Sequence, residues 1–402
     1  GANAFLRDRD DDTLTTGRAA ASFGGFFSRT SSEVAGATLQ LNDGHVLIGG
    51  YNRLAVGAEW LDGDTVAEGL FTSPSDPGTV DPGGLSSDNE TDRSTLGFYL
   101  QDTWQPSDHW MIALGARYDD DEVGYDERFP EAGNDDSRDF SEVSLRGGVT
   151  WSASPAAALY VSYGEAFLPP TVEELFSFPL FGSNPELDPE DSTTLEIGYG
   201  GRFGSFELDA ALFRIDSENE IVFDPFSPLG LFGANVNGGE SRRDGIEIAL
   251  RGRPGHSIRP FATATLIDAE LLHGENDGKT LPLVPEERIT VGFDLDLTEG
   301  VALRAEGLHV GDQVLANDEA NEQQELDAYD VVNLRATWRP GERKASGGRS
   351  RGLVVFAELR NAFDEEYATR GIYAFDFSTF VNEVFLTPAP GRRFLGGVGW
   401  EF

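Results

Sequence analysis

The sequence predicts an all-β protein whose strands form an antiparallel transmembrane β-barrel. Three observations predict this fold class. Apolar and polar residues alternate over many short segments, the connections between segments are short and long in turn, and the tryptophans gather at the short-turn ends. No apolar run approaches the ~20 residues that a membrane helix needs. A mean hydropathy of -0.32 does not exclude a barrel, because only alternate residues of a barrel strand meet lipid.

The final segment, residues 392–402, shows the pattern most clearly. One face carries Phe394, Val398, Trp400 and Phe402, whereas the other face is smaller and more polar. An exposed edge strand with these aromatic residues would promote aggregation of a soluble protein. In a lipid-embedded barrel the same strand can close the sheet, with its aromatic residues at the membrane interface.

The chain divides at residue 34. Residues 1–33 are uncertain, with a solvated acidic run at residues 8–12 and a weak strand at residues 19–27. From residue 34 to residue 402 the alternation predicts about 15–16 strands. Among the clearest are those centred on Leu54–Trp60, Leu96–Leu100, Trp110–Tyr118, Val143–Trp151, Leu159–Tyr163, Leu195–Tyr199, Phe206–Leu212, Ile246–Leu250, Ile289–Leu297, Val301–Ala305, Val332–Trp338 and Leu353–Leu359.

The connections alternate in length. Short turns are expected at residues 105–109, 152–155, 201–204, 252–256 and 298–300, and long loops at residues 61–92, 119–139, 168–191, 216–243, 270–286 and 311–326. Short turns on one side and long loops on the other are typical of outer-membrane barrels, whose short turns are periplasmic. Residues 340–351 break the rule, because they form a longer, basic turn where a short one is due.

Tryptophan gives an independent argument for a membrane. Trp104, Trp110, Trp151, Trp338 and Trp400 all fall on the short-turn side, and Trp60 falls on the other. Indole rings favour the membrane–water interface, whereas tryptophans of a soluble core would not sort by side.

Composition and motifs argue against several classes of function. A net charge of -40 argues against nucleic acid as a partner. The chain has no cysteine, and its five histidines do not pair at ligand spacing, so we expect no metal site. The G-x-S-x-G match at residues 348–352 precedes a strand instead of a helix. We therefore expect no catalytic residue, no cofactor and no enzymatic activity.

Charged residues on the polar faces predict an aqueous lumen. A centrally placed Arg facing lipid costs roughly 2–4 kcal/mol, so these residues must face water or protein. We expect most of them to form a salt-bridged wall: Glu142, Arg146, Glu196, Glu247, Arg251, Asp294, Arg304, Glu306, Arg335, Glu358 and Arg360.

Several ordered stretches resemble the TonB-dependent outer-membrane receptors. The most specific is N-P-x-L-x-P-E followed by a strand with E-x-G, in an order that continues to the last residue. The matching residues are Asn184, Pro185, Leu187, Pro189, Glu190, Glu196, Gly198, Gly245, Glu247, Asn361, Arg392 and Phe402. Residues 101–119 and Pro170-Thr171 add to the resemblance.

The resemblance implies a receptor in the outer membrane of a Gram-negative bacterium. Such receptors take up scarce nutrients, most often ferric siderophores and also cobalamin, by TonB-driven gating. Barrels of this family have about 22 strands and a plugged lumen. Neither the plug nor the TonB-contacting segment is visible, so residues 34–402 resemble the carboxy-terminal barrel portion. The implied partners are outer-membrane lipid, a metal chelate or cobalamin-like substrate, the TonB complex through the plug, and the barrel-assembly machinery through the last strand.

Aromatic residues in the long loops are the candidate substrate contacts, because their rings suit stacking on a chelator or corrin. They are Phe176, Phe178, Phe181, Phe223, Phe226, Phe232, Tyr373 and Phe375. Packing of the loops against themselves is the alternative explanation of these residues.

Two other functions stay open at this point. A passive porin would share the strands and the aromatic girdles, although the N-P-x-L-x-P-E segment argues against it. A soluble all-β binding protein would need another reason for the one-sided tryptophans and the alternating loop lengths.

Overall fold

The computed structural model describes residues 2–15, 26–47, 50–73, 76–129, 134–176, 182–224, 227–230, 233–252, 257–340, 343–344, 350–376 and 379–401. Strands make up most of this part of the chain. The strands of the first half, β1 to β9, have the bounds Ala2–Thr15, Phe26–Leu47, Gly50–Ser73, Asp76–Ser107, Trp110–Phe129, Asn134–Ser154, Ala157–Leu168, Glu190–Phe203 and Phe206–Glu218. The single helical turn α1, Val172–Leu175, lies between β7 and β8.

The second half has shorter strands. From β10 to β21 the bounds are Ile221–Asp224, Ala234–Asn237, Glu240–Gly252, Ile258–Leu272, Glu287–Thr298, Val301–Val310, Tyr329–Trp338, Arg343–Lys344, Ser350–Arg360, Ala368–Asp376, Val381–Pro388 and Arg393–Glu401. In the described part of the chain no helix has the length and apolar character to cross a membrane.

The main sheet is an antiparallel meander. Consecutive pairing runs from β1 to β9, continues through β12 to β16, and ends through β18 at β21, which gives sixteen strands within the described residues. Two hairpins, β10–β11 and β19–β20, lie in loops, and β17 pairs with the start of β18. No described pairing joins β1 to β21, so these two strands form the edges. The all-β prediction and the strand count are confirmed.

The apolar face of the strands points outward, away from the lumen. Val143, Leu145 and Val291 are 51%, 48% and 52% exposed, so these side chains are not shielded in a compact core. Trp110 and Trp151, which face each other across β5 and β6, are also exposed, with ring centroids 6.3 Å apart. A continuous apolar outer surface of this kind needs lipid around it.

The lumen face carries the expected salt-bridged wall. Arg304 pairs with Asp294 and Glu306, and Glu358 pairs with both Arg335 and Arg360. Rings add a second layer, since the Arg304 guanidinium lies 4.2 Å from the centroid of Phe261. Paired charges of this kind can line an aqueous lumen at little cost in free energy.

Two predicted long loops are wrong. Residues 61–92 and 119–139 were expected as loops, but β3 continues to Ser73, β4 begins at Asp76, β5 continues to Phe129 and β6 begins at Asn134. Outside the bilayer both faces of a strand can meet water, so the apolar alternation disappears while the backbone hydrogen bonds continue. These strands form a tall wall that rises beyond the membrane on one side of the barrel.

The amino-terminal residues also differ from the expectation. The acidic run at residues 8–12, expected as a solvated loop, lies in β1 and pairs with Glu33 to Arg29 of β2. Most of the weak strand expected at residues 19–27 lies outside the described residues. The division of the chain at residue 34 stays a prediction, and β2 runs across that position without a break.

Candidate functional site

The candidate site lies on the lumen face at the long-loop end, where β7 leaves its neighbour β6. The last residue pair of β6 and β7 is Arg146 with Gly164, although β7 continues to Leu168. Beyond that pair the Glu165 carboxylate accepts hydrogen bonds from the Leu145 backbone N–H and the Tyr163 hydroxyl, each at 2.8 Å. A side chain thus replaces the missing backbone acceptor, and the end of β7 bends toward the lumen.

A capped helical turn follows this bend. Pro169 and Pro170 end the strand, because proline supplies no N–H to a ladder. Thr171 then caps α1: its hydroxyl accepts from the Glu174 N–H at 3.3 Å, and the Glu174 carboxylate accepts from the Thr171 N–H at 2.7 Å. This capping box fixes the direction in which the loop continues.

An apolar cluster anchors the loop to the tall wall. We call it the loop core; its members are Val123, Tyr125, Phe140, Leu175, Phe176 and Leu187. The rings of Tyr125 and Phe176 stack with centroids 4.3 Å apart and planes 7° apart. The Tyr125 hydroxyl donates to Asn89 Oδ1 at 3.0 Å, so the buried polar end of this ring is satisfied. Burial of each large side chain contributes about 1.5–3 kcal/mol to holding the loop.

Burial also changes the chemistry of Tyr125. This residue lies fifteen positions beyond Trp110 in β5, well past the bilayer, since about 10 residues cross it. Desolvation, together with the charges of Glu127 and Asp126, raises the pKa of Tyr125 to about 12. The neutral phenol is therefore the form that fits the loop core.

The N-P-x-L-x-P-E motif holds this loop together. Asn184 donates from its side chain to the Asn235 carbonyl at 2.9 Å and from its backbone to the Leu175 carbonyl at 2.8 Å. Leu187 is fully buried in the loop core, and Glu190 accepts the Ile221 N–H at 2.6 Å. The motif therefore joins α1, β8 and the β10–β11 hairpin.

Asn237 completes the connection from the opposite side. Its side chain donates to the carbonyls of Asp188 and Asn219 at 2.9 and 2.8 Å, and its Oδ1 accepts the Asp188 N–H at 2.9 Å. One amide thus satisfies three backbone groups of two loops. Asn237 therefore ties the segment that leads into β8 to the β10–β11 region.

Beside the loop core is a cavity of about 590 Å³, which we call the wall cleft. It lies between the inner face of β2 to β5 and the segment that leads from β7 into α1. Its lining combines apolar side chains, threonines and charged groups: Val34, Leu61, Asp62, Gly63, Thr65, Thr91, Arg93, Thr95, Arg117, Asp119, Asp121, Phe167, Pro169 and Val172. Its volume is in the range typical of small-molecule sites.

Carboxylates hold both arginines of the wall cleft. Arg93 donates to the two oxygens of Asp121 at 2.9 and 2.5 Å, and Asp121 is only 2% exposed. Arg117 donates through Nε to Asp119 at 2.8 Å and through a terminal nitrogen to Glu59 at 2.6 Å. These forked contacts fix the guanidinium planes and use much of their donor capacity.

A second group of loops packs at the same end of the barrel, near β13 to β18. Backbone hydrogen bonds join Ala316 to Gly371 at 3.0 Å and Tyr373 to Ala316 at 2.9 Å. Leu315 is buried against Gly371, where an added Cβ would lie 2.4 Å from the leucine side chain. The β19–β20 hairpin, which carries Tyr373 and Phe375, is thereby fixed to the loop at residues 311–328.

A half-buried carboxyl lies in this loop, outside the strands. Burial raises the pKa of Glu319, and the neighbouring charges of Asp318 and Asp224 add to the effect. Asp224 ends β10, so the carboxyl senses the neighbouring loop hairpin electrostatically.

The structure separates the predicted substrate contacts into three groups. Phe176 is 8% exposed and packs in the loop core, so it supports the loop itself. Phe223 and Tyr373 are half-buried, and Phe375 is 39% exposed with its ring edge-on to Phe380 at 6.2 Å. Phe178, Phe181, Phe226, Phe232 and the terminal Phe402 lie outside the described residues. A role in substrate binding stays a prediction for all eight loop aromatic residues.

Two glycines of the family motifs lie under aromatic rings. Gly198 lies directly opposite Tyr160, whose ring covers it, and the Tyr160 hydroxyl donates to Glu196 at 2.5 Å. Both residues of the E-x-G motif thus contact Tyr160: Gly198 lies under its ring and Glu196 accepts its hydroxyl hydrogen bond. Gly245, two residues before Glu247 in sequence, lies under Phe213 in the same way.

The turn that begins at Asn361 contacts the backbone of Arg392, just before the last strand. Asn361 exchanges side-chain hydrogen bonds with the backbone of Glu365 at 2.8 Å in both directions. In the resulting turn the Asp364 carboxylate accepts the Arg392 N–H at 2.7 Å. The turn after β18 is thus tied to the start of β21.

Sequence reasoning missed α1 and the wall cleft. The signal for α1 was present, because Thr171 and Glu174 have capping-box spacing. No comparable signal marks the cleft, since its residues come from five separated segments. In the described part of the chain, no three or more His, Cys, Asp or Glu side chains are grouped so that they could hold a metal ion.

Fold and site together define a class: a transmembrane β-barrel with short turns at one end and, at the other, long loops packed over the lumen. The chain belongs to the TonB-dependent receptor family, because residues 2–362 match the family model "TonB dependent receptor-like, beta-barrel". This membership places it in the outer membrane of a Gram-negative bacterium. Members of the family are transport receptors, so the expectation that the chain is not an enzyme is confirmed.

Known relatives agree with this assignment. The metal-pseudopaline receptor CntO of Pseudomonas aeruginosa is 24% identical over 329 residues, which cover 78% of this chain and 41% of that protein. The vitamin B12 transporter BtuB of Vibrio vulnificus is 24% identical over 386 residues, 93% of this chain and 51% of the transporter. The chain thus spans about half the length of these relatives.

Solved structures share the fold. The siderophore receptor PiuA from Acinetobacter baumannii superposes with a TM-score of 0.75 at 18% identity. The match covers 99% of this chain and 60% of PiuA.

Proposed function

We propose that this chain is the barrel portion of a receptor that imports a scarce nutrient, a ferric siderophore, by TonB-driven gating. The observation that carries the proposal is the wall cleft, a lumen-facing cavity of ligand size under ordered long loops. Relatives named as metal-chelate and cobalamin receptors support it.

In this proposal the chain performs the capture step. Long loops present aromatic rings to the incoming chelate, and the loop core keeps those loops in place against the wall. The salt-bridged lumen wall gives a hydrated passage, while gating falls to a plug and to the TonB complex. Outer-membrane lipid around the apolar face and the barrel-assembly machinery at β21 are the further proposed partners.

A growth assay tests the proposal. The complete gene is expressed in an iron-starved strain that lacks its own receptors, and a panel of ferric chelates and cobalamin is supplied. We expect growth on at least one chelate, and loss of that growth when TonB is deleted. Uptake that persists without TonB would favour the passive porin instead.

Loop aromatics are tested on the substrate that this assay identifies. Replacing Tyr373 or Phe375 with alanine removes a ring worth ~1 kcal/mol of stacking, so we expect Kd to rise roughly fivefold to tenfold. Phe363→Ala is the control, because this exposed ring lies in the turn after β18 and outside the hairpin. Equal effects of all three substitutions would remove the hairpin from the binding site.

A further inference from the structure

We infer that the wall cleft selects its ligand by charge, accepting an electrically neutral or cationic metal chelate and excluding a polyanionic one. This inference rests on the proposed function and specifies the substrate class that the site takes. The ion pairs of the cleft, its uncharged lining residues and the net charge of the whole chain support it.

Recognition of a polyanionic chelate normally requires arginines with free donors, and both arginines of the cleft are engaged. Arg93 uses two nitrogens on Asp121. Arg117 is shared between Asp119 and Glu59. An incoming anion would have to displace a carboxylate from a forked contact, and the displaced carboxylate would then repel it.

Carboxylates outnumber guanidiniums around the cleft. Asp62, Asp119 and Asp121 line it with two arginines, and Glu59 is in contact with one of those arginines. The local balance is therefore negative before any ligand arrives. A cation gains from this balance, a neutral chelate is indifferent to it, and a polyanion is disfavoured.

The rest of the lining suits a neutral ligand that carries hydroxyl or amide donors. Three threonines, Thr65, Thr91 and Thr95, place hydroxyls on the wall side. Each hydroxyl donates its hydrogen bond within the protein, to Ser32, the Thr65 carbonyl and Asp121 respectively, so its oxygen remains as an acceptor for a ligand. Phe167, Pro169 and Val172 supply apolar edges on the opposite side. A few polar groups on an apolar lining are the usual composition of a small-molecule pocket.

The field of the whole chain acts in the same direction. The sequence carries 70 acidic and 30 basic residues, a net charge of -40. At an ionic strength near 0.15 M the field is screened beyond ~8 Å, so its effect is strongest at low salt and inside the lumen. A polyanion is thus disfavoured on approach as well as in the cleft.

The test compares three ferric complexes of different charge. The product of the complete gene, purified in detergent, is titrated with a trianionic tris-catecholate, a neutral tris-hydroxamate and a tris-hydroxamate that carries one free ammonium group. At low salt we expect the neutral and cationic complexes to bind at least tenfold more tightly than the trianion, with a smaller ratio at high salt.

Neighbouring residues of β5 provide matched variants. Asp119→Asn removes one carboxylate from the cleft, so the affinity for the trianion should rise roughly tenfold while that for the neutral complex stays within about twofold. Asp120→Asn changes the same charge on the outward face and should alter neither affinity. Asp121→Asn repeats the test on Arg93, with circular dichroism as the check on folding.

Each outcome decides a different claim. Tightest binding of the trianion overturns the inference and leaves the receptor function in place. Equal effects of Asp119→Asn and Asp120→Asn would assign the selection to net charge instead of the cleft, which also overturns the inference. Failure of every complex to bind, together with no growth on any chelate, would reject the proposed function itself.

Discussion

At the scale of single residues, glycines on the lumen face are placed under aromatic rings. Gly198 lies under Tyr160, and an added Cβ would lie 2.1 Å from the ring; Gly245 lies under Phe213, where that distance is 2.2 Å. Similar pairs in register across neighbouring strands are Gly36 with Phe5, Gly57 with Tyr99, Gly292 with Phe261 and Gly397 with Phe356. The rings shield backbone that glycine leaves bare, and they join neighbouring strands.

A side chain at such a glycine should destabilise the barrel. Gly198→Ala forces the Tyr160 ring away from its hydrogen bond to Glu196, so we expect a loss of about 1–3 kcal/mol by overpacking. Urea unfolding in detergent measures it. Gly164→Ala is the control, because an added Cβ there meets nothing within 4 Å. Equal midpoints for the two variants would contradict the steric explanation.

The raised pKa of Tyr125 makes the stability of the loop core depend on pH. Its pKa is raised to about 12 from an ordinary value near 10, so the folded state favours the neutral phenol. The stabilisation is complete below pH ~10 and is lost as the pH rises through ~12. Phenolate absorbance should show a late step that the Tyr125→Phe variant lacks. A titration unchanged by this substitution would refute the assignment.

The raised pKa of Glu319 affects the stability of its loop at neutral pH instead of at high pH. Its folded pKa is raised, so its contribution to stability is complete in acid and is lost as the pH rises through that pKa. At pH ~7 Glu319→Gln should therefore slow proteolysis of the loop at residues 311–328, and in acid it should make little difference. Faster cleavage of the variant at neutral pH would contradict the desolvation argument.

At the scale of elements, the loop between β7 and β8 behaves as a small folded unit. Four features hold this loop in place. They are the Glu165 contact at the bend of β7, the capping box at Thr171, the buried Leu187 and the side-chain hydrogen bond of Asn184. Leu187→Ala should cost about 2–5 kcal/mol of local stability, because it leaves a cavity in the loop core. Hydrogen exchange of residues 172–176 and 182–190 should accelerate, while that of the membrane strands should not.

Leu229→Ala serves as the matched control for that experiment. Leu229 is exposed in the neighbouring loop, so its truncation removes no buried contact. If both substitutions accelerate exchange equally, the loop core is not what holds the segment.

The strands that cross the membrane were predictable from sequence, and the regions beyond it were not. Segments such as Val143–Trp151 alternate because one face meets lipid and the other water. The same strands lose the pattern where both faces are wet, which is why residues 61–92 were expected as a loop. The wall cleft could not be predicted from the sequence, because the alternation within a strand does not show which distant segments come together in the fold.

The family motifs show the same division. The resemblance marked Asn184, Leu187 and Gly198 without saying what each does. In the structure Asn184 hydrogen-bonds a neighbouring loop, Leu187 packs in the loop core, and Gly198 leaves room for the Tyr160 ring. Among the predicted aromatic contacts, the burial of Phe176 depends on tertiary packing against Tyr125, which sequence spacing does not report.

At the scale of the whole molecule, each strand separates lipid from water. Adjacent residues of β6 therefore provide a direct test: Leu145 points outward and Ser144 inward. Leu145→Arg should destabilise the folded barrel in lipid by about 2–4 kcal/mol near the bilayer centre, whereas Ser144→Arg should have a small effect. Denaturant titration in lipid vesicles measures the difference. A similar loss for both variants would exclude the proposed facing of the sheet.

The tall wall has a consequence for what the cell exposes. The strand β4 has 32 residues, about three times the number that a bilayer crossing takes. Ser73 at the end of β3 and Asp76 at the start of β4 therefore stand tens of ångströms above the lipid. A short epitope inserted after Ser73 should therefore bind antibody on intact bacteria, and it should leave the proposed chelate uptake unchanged. Failure of the antibody to bind intact cells would contradict the height of the tall wall.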